Sequence, residues 1–309
     1  MSYGFEIMDY EIPQNKISIE DLVTEAGYGA DMIERLQQGG LRFIPQNIDC
    51  TLDKLINKAI LKIKNKIPDF EKRIKGVILA HSLPFLAPAN IPFFDYCFKN
   101  TNLENTPRIA ISGQPCSILH QAVQISMSWL SKEENDCGIL LIGADQANSP
   151  QERIFFNSAM GDAAFVGVIS QNANNNLILS SVTETEIIAC EGEMSAQKDI
   201  QEFRAKNPSL IRHCIESALD EAKIAVNDVR YIITHTPYHS IWDLMASLLR
   251  IPREKILDDY IVDTGHLNSN DSFCHYIRAC NEKRLCKDDI AVLINPGFGG
   301  SRGCTVIRV

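Results

Sequence analysis

Residues 111–123 read ISGQPCSILHQAV, with Gly113 and Pro115 leading into a cysteine and then an apolar run. Ile118, Leu119, Ala122, Val123 and Ile125 recur at the i, i+3, i+4 spacing of a helix with one buried face. The spacing predicts Cys116 at the junction where a loop enters that helix. A helix N-terminus carries unpaired N–H groups and a partial positive charge. A thiolate, the reactive form of cysteine, is stabilised there. Cys116 is therefore either a nucleophile or one more packed thiol among the ten in the chain, and its surroundings have to decide.

Working outward, the helix at 116–130 is followed by DCGILLIGADQ (136–146), which reads as a buried strand. Upstream, CTLDKLINKAILKIKNKI (50–67) has an amphipathic helical pattern, and RIKGVILAHSLPF (73–85) reads as a strand ending in His81. The second half repeats this order. PSLIRHCIESALDEAKIA (208–225) is a helix pattern, and DVRYIITHTPYHS (228–240) is a strand ending in His235. GHLNSNDSFCHYIRACNEK (265–283) then passes from a polar turn into a helix, and DDIAVLINPGFGG (288–300) supplies the matching strand. Between the halves, VISQNANNNLILSS (168–181) reads as strand, Asn-rich turn and strand. The chain is thus expected to be an α/β protein with buried strands, made of two duplicated halves, 1–173 and 174–309, that divide near Asn174.

The 309 residues are 45% hydrophobic and 22% charged, which is ordinary for a globular protein with a sizeable core. A net charge of −9 opposes any general affinity for nucleic acid or anionic membrane. No stretch approaches the roughly 18 uninterrupted apolar residues of a membrane span, and MSYGFEIMDYEIPQ at the start lacks the order of a signal peptide. A soluble cytoplasmic protein is expected. No two cysteines form a CxxC pair, so zinc-ribbon and redox readings find no support. The sequence also lacks the GxGxxG, GxxxxGK[ST] and HExxH patterns of dinucleotide, P-loop and zincin chemistry. His235 and His239 have HxxxH spacing, but Pro237 between them breaks the helix that would align two imidazoles on a metal.

In order along the chain stand SGQPCSILHQA, LLIGAD, MGDAAFVGVI, IITHTPYHS and NPGFGGSRG. In these pieces, and in its duplicated halves, the chain resembles the thiolase superfamily, and within it the β-ketoacyl-ACP synthase III-like enzymes. The resemblance covers most of the chain. Where that family often has an arginine-rich turn, only GLRFIP (40–45) remains. It implies a five-layered αβαβα fold, a homodimer, and no cofactor beyond the phosphopantetheine of an acyl-CoA or acyl-carrier-protein substrate. It also implies Cys116 as nucleophile. Condensing members place a histidine at the position of His235 and an asparagine soon after a glycine in a later loop, both donating to a thioester carbonyl during decarboxylative Claisen condensation.

Here the later loop reads GHLNSND, with His266 directly after Gly265 and Asp271 five residues on. A subset of the family from natural-product pathways shares this spacing and acts as acyltransferases with a Cys-His-Asp triad. The resemblance then implies Cys116 as nucleophile, His266 as base and Asp271 as orienting carboxylate. His235 becomes a donor to the thioester carbonyl, and the N–H groups of Cys116 and Gly299 form the oxyanion hole. The residue-level chemistry agrees, because a carboxylate on one imidazole nitrogen fixes the tautomer and frees the other as a base. The plainer reading of Asp271 is a helix N-cap. His81 and His120 read as packed residues. The expected activity is transfer of an acyl group through Cys116 to a hydroxyl or amine of a small-molecule acceptor. Condensation is the alternative, with Asn268 or Asn270 restoring the missing donor, and a non-catalytic partner subunit is a third reading. LPFLAPANIPFFDYCF (83–98) is apolar enough for a subunit contact or an acyl tunnel.

Overall fold

The computed structural model describes residues 2–48, 51–83, 93–133, 136–189, 191–235 and 239–309. The apolar stretch after Leu83, and Pro237, lie outside them for the most part. Ten strands form the central sheet. In the first half they are β1 (Tyr3–Glu11), β2 (Ile74–Ala80), β3 (Arg108–Ile111), β4 (Gly138–Asp145) and β5 (Ala163–Gln171). In the second they are β6 (Leu177–Thr185), β7 (Val229–Thr234), β8 (Ile256–Leu257), β9 (Ile290–Pro296) and β10 (Ser301–Arg308).

Their spatial order is β8-β7-β9-β10-β6-β1-β5-β4-β2-β3. Each half therefore has one topology, β1-β5-β4-β2-β3 and β6-β10-β9-β7-β8. In each, the second strand pairs in parallel with two neighbours and the remaining pairs are antiparallel. The halves join where Tyr3 and Gly4 of β1 face Ile178 and Leu177 of β6. The Asn-rich turn at 172–176 lies between β5 and β6, and Asn172 and Asn176 take the left-handed φ values of 57° and 48° that asparagine tolerates.

Five helices complete the layers: α1 (Leu52–Lys64), α2 (Ile118–Leu130), α3 (Gln197–Ala222), α4 (Ser240–Leu249) and α5 (Asp271–Asn281). The helix α1 covers the outer face of the first half-sheet through Leu55, Ile56, Ala59, Ile60 and Ile63. On the other outer face, α3 and α4 cover the second half-sheet through Ile211, Ile215, Trp242 and Met245. Between the half-sheets lie α2 and α5, whose Ile118, Ala122 and Phe273 share one core with Ile139 and Phe165 of the first half and Leu293 and Ile307 of the second. Phe273 meets Phe5 and Phe165 edge-on or tilted, with centroids 6.2 and 5.2 Å apart. Each such buried side chain contributes roughly 1.5–3 kcal/mol. This is the five-layered αβαβα arrangement expected of the fold.

Two elements differ from the sequence reading. First, α2 begins at Ile118, so Cys116 stands two residues upstream in a tight turn. Second, α3 begins at Gln197, with Pro208 inside it. An interior proline forfeits one helical hydrogen bond, but Ile200 and Phe203 on the preceding turns bury against Ile188, Ala189 and Phe298 and offset that cost. Among the described residues no helix is long and apolar enough to cross a membrane, and the eight cysteines among them are free thiols.

Candidate active site

The C-terminal ends of β4, β7 and β9 converge with the turn before α2. Cys116 occupies that turn with φ +63°, a left-handed conformation costing a non-glycine residue about 1–3 kcal/mol. Local bonds hold it there: Ser117 N–H donates to the Pro115 carbonyl at 2.8 Å, and Ile118 N–H to that of Gln114 at 3.0 Å. The C-terminal loop closes over it. A Cβ on Gly297 would overlap the Pro115 carbonyl oxygen, so only glycine lets the loop approach this closely. Ser301 Oγ also donates to that carbonyl at 3.2 Å.

The His266 loop is fixed from the first half. Gly265 adopts φ +59° and ψ −149°, a region essentially reserved for glycine, and a Cβ there would overlap Ile44. His266 then donates its N–H to the Ala159 carbonyl at 3.0 Å and accepts from Gly161 N–H at 2.9 Å. The Ala159–Asp162 segment is itself anchored. Asp162 is fully buried and bidentate with Arg153 at 2.8 and 2.7 Å, and it accepts the N–H groups of Asn47 and Ala147. The Gly-Asp stretch in MGDAAFVGVI is thus the platform that carries His266.

Across 150 residues of sequence, Cys116 Sγ and His266 Nε2 stand 3.6 Å apart. His266 Nδ1 is 2.6 Å from Asp271 Oδ2, and Asp271 Oδ1 accepts Leu267 N–H at 2.6 Å. His266 and Asp271 are fully buried. Burial alone would lower the His266 pKa, but the Asp271 carboxylate and Cys116 outweigh it and push the imidazole up to about 10. Burial would likewise raise the Asp271 carboxyl, yet the facing His266 holds it well below the usual carboxylate range. A charged His266 is the partner a Cys116 thiolate requires. Asp271 is the first residue of α5, the N-cap position falling to Asn270, so the carboxylate expected to cap the helix instead holds Leu267 N–H and the imidazole.

His235 follows β7, with its N–H on the Ile294 carbonyl and its ring 4.2 Å, edge-on, from that of His266. Both of its ring nitrogens are buried and find no hydrogen-bond partner among the described residues. Burial, and then the charge on His266, hold its pKa well below the ordinary histidine value. A neutral imidazole offers one N–H donor. Donor atoms of Cys116, His235 and His266 lie within 4.8 Å of one another, so a soft cation would have to compete for the triad itself. His239 stays outside this group, paired with Asp258 at 2.7 Å.

Cys116, His235 and His266 line a cavity of about 700 Å³, a size suited to a small organic ligand. Phe155, Phe156, Phe203 and Phe298 form much of its wall, with the Phe156 and Phe203 rings tilted against Phe298, centroids 4.5 and 4.8 Å apart. Arg35 and Arg204 also line it.

Gly299 does not line the cavity. Its carbonyl accepts Ile188 N–H at 3.5 Å on the far side of the loop. The lining residues of this loop are Pro296, Gly297 and Phe298. Counting residues back from the C-terminus misplaces the position because the tight turn through Gly299 and Gly300, with φ values of 85° and 92°, directs the chain away. Neither Asn268 nor Asn270 lines the cavity, and the Asn270 amide donates to the Leu267 carbonyl at 3.2 Å. His120 bonds Thr305 Oγ1 at 2.8 Å and Asn295 Oδ1 at 3.2 Å inside the core, and His81 bonds the Leu83 carbonyl. The aromatic wall, Arg153 and Ser82, described below, carried no local sequence signal.

A duplicated five-layered fold, with a cysteine on a strained turn of one half and a histidine–aspartate pair in the other, is the arrangement of the thiolase-like fold of the β-ketoacyl synthase III type. Residues 219–309 match the family model described as 3-oxoacyl-[acyl-carrier-protein] synthase III, C terminal. In structure the chain is similar to ChlB3, described as an acyltransferase, at 16% identity and TM-score 0.87 over 100% of this chain and 98% of that one. It is similar to 3-oxoacyl-[acyl-carrier-protein] synthase III of Aquifex aeolicus, at 17% identity and TM-score 0.82 over 99% and 100%. OleA of Xanthomonas campestris, solved with lauric acid and lauroyl-CoA, superposes at 13% identity and TM-score 0.80 over 100% and 99%. At these identities the likeness concerns the fold. No curated protein sequence matches the chain.

Proposed function

We propose that this protein is an acyltransferase that moves an acyl group from a CoA or acyl-carrier-protein thioester, through a Cys116 acyl-enzyme, to a hydroxyl or amine of a small acceptor. The observation that carries this reading is the aligned series Cys116 Sγ, His266 Nε2, His266 Nδ1 and Asp271 Oδ2, spaced 3.6 and 2.6 Å, opening on a cavity. In the first step, with the Sγ proton held on His266, Cys116 attacks the thioester carbon, and the departing thiolate receives that proton from His266. In the second step neutral His266 takes a proton from the acceptor, the acceptor attacks the acyl-enzyme, and the proton returns to Sγ. Such base catalysis contributes about 10²–10⁴ in rate.

Two N–H groups are suited to the developing oxyanion. One is that of Cys116. The other belongs to Phe298, which lines the cavity and has no acceptor for its N–H among the described residues, whereas Gly297 N–H is taken by the Ser301 carbonyl at 2.7 Å. This assignment replaces Gly299. Neutral His235 donates to the thioester carbonyl. The description of ChlB3 as an acyltransferase is consistent with this reading.

Decarboxylative condensation is the second reading. It is favoured by one observation, that the His235 and His266 rings stand 4.2 Å apart, edge-on, beside the Cys116 thiol, where two imidazoles are at hand for one thioester. Intact-protein mass spectrometry after incubation with acyl-CoAs and acyl carriers tests the acyl-enzyme, with an adduct expected that Cys116→Ala loses. No adduct from any donor refutes the proposal. Decarboxylation of a malonyl thioester gained in His266→Asn would favour the second reading. A homodimer belongs to this reading too, and light scattering checks it.

A further inference from the structure

The Cys116 amide, one of the two oxyanion donors proposed above, is not free. It donates to Ser82 Oγ at 3.1 Å. Ser82 stands two residues past the end of β2, and its position is set by Asp145, the last residue of β4, whose Oδ1 accepts the N–H groups of Ser82 at 2.8 Å and Leu83 at 3.0 Å. As the acceptor of the Cys116 N–H, the Ser82 hydroxyl presents a lone pair to it. Asp145 is fully buried, and its second oxygen meets Ser269 Oγ at 3.4 Å, two residues before Asp271. One carboxylate therefore reaches both the turn that contacts the nucleophile and the turn that carries the orienting aspartate.

We infer that the Ser82 hydroxyl holds, in the resting protein, the place at the Cys116 N–H that a thioester oxygen takes during acylation, so that Ser82 must turn away before the oxyanion is bound. Ser82 is on this account a positioning residue. It satisfies the amide of a strained turn in the free state and competes with the transition state for it. The inference rests on the reading of Cys116 as an acyl-enzyme nucleophile, and it extends that reading to the resting state of its amide.

The two requirements separate experimentally. Acetylation of Cys116 by p-nitrophenyl acetate passes through a tetrahedral oxyanion and needs no carrier, whereas alkylation by iodoacetamide displaces iodide at a saturated carbon and builds no oxyanion. In the full-length protein, with Cys116→Ala as background, Ser82→Ala is expected to acetylate about two- to tenfold faster, the range of one exchanged neutral hydrogen bond. Its alkylation rate should stay at the wild-type value. Ser82→Thr, which keeps the hydroxyl, should restore the slower acetylation. Acetylation that is unchanged or slower in Ser82→Ala overturns the inference. So does alkylation that shifts in parallel, because Ser82 would then be placing the thiol. Absence of Cys116-dependent acetylation in both proteins also overturns it. If CoA and carrier thioesters leave no adduct while the p-nitrophenyl acetate difference holds, the inference about the amide stands and the proposed donor class fails.

Discussion

Replacing Asp271 with asparagine separates a triad carboxylate from a residue that only holds the loop before α5, because the two side chains have the same shape. In the protein Asp271 gives one oxygen to Leu267 N–H and the other to His266 Nδ1, each at 2.6 Å. An asparagine that keeps the first bond must turn its NH₂ toward Nδ1. The imidazole then carries its own proton on Nε2, which faces Cys116 Sγ, and cannot act as a base. With the carboxylate gone, burial governs His266, and its pKa falls from about 10 to below the ordinary histidine value. Acyl transfer should drop by about 10³–10⁴, as when an analogous triad aspartate is replaced, or roughly 4–5.5 kcal/mol of barrier. Loss of fold stability should be smaller, about 1–3 kcal/mol, because His266 becomes neutral instead of remaining an unpaired charge. Single-turnover acylation and transfer, NMR titration of His266 and thermal unfolding measure the three quantities separately. Transfer within tenfold of wild type, with His266 still titrating above 6.5, would refute the triad and leave Asp271 an anchor of the Leu267 N–H alone.

Three further outcomes are expected. His235→Ala removes a donor aimed at the thioester carbonyl and should lower kcat by about 10²–10³, while iodoacetamide labelling of Cys116 persists. Gly297→Ala places a Cβ onto the Pro115 carbonyl and must push the C-terminal loop off the Cys116 turn, so acylation should fall at least tenfold, measured by burst kinetics. Burial, partly opposed by the N–H groups of Leu83 and Ser82, pushes the Asp145 carboxyl from 3.8 up to about 7. The folded state then binds the proton more tightly than the unfolded chain. Asp145 thus contributes stability that is present below pH 4 and lost as pH rises through about 7, amounting to about 4 kcal/mol. Urea unfolding at pH 5 and pH 8 should show about 2.7 kcal/mol of that decline in wild type and a flatter profile in Asp145→Asn.

The elements and their order were legible in the sequence because they rest on local periodicity. The apolar run ILLIGA, buried at every position, can only be a strand covered on both faces, and the repeated helix–strand order foreshadowed the two half-sheets of one topology. Cys116, His266 and Asp271 were nameable from the turn chemistry around them and from the ordered motifs. Pro208 misled, since the burial of Ile200 and Phe203 against a distant loop outweighs a local helix breaker.

What sequence alone determined was which residues have suitable chemistry, since a cysteine after Gly-x-Pro and a histidine five residues before an aspartate are local facts. Only the tertiary structure decided which of them meet. The 3.6 Å approach of Cys116 and His266 depends on a glycine at 265 folding against Ile44, and on an Arg153–Asp162 pair that anchors the supporting strand from the other half. Register in the C-terminal loop, where positive-φ glycines turn the chain, put Phe298 on the cavity and Gly299 behind it. The contact of Ser82 with the Cys116 amide joins residues 34 positions apart through the pairing of β2 with β4 and the carboxylate at the end of β4. No spacing rule reports such a contact, because hydrogen bonds between strand ends are set by packing in three dimensions and not by the separation of residues along the chain.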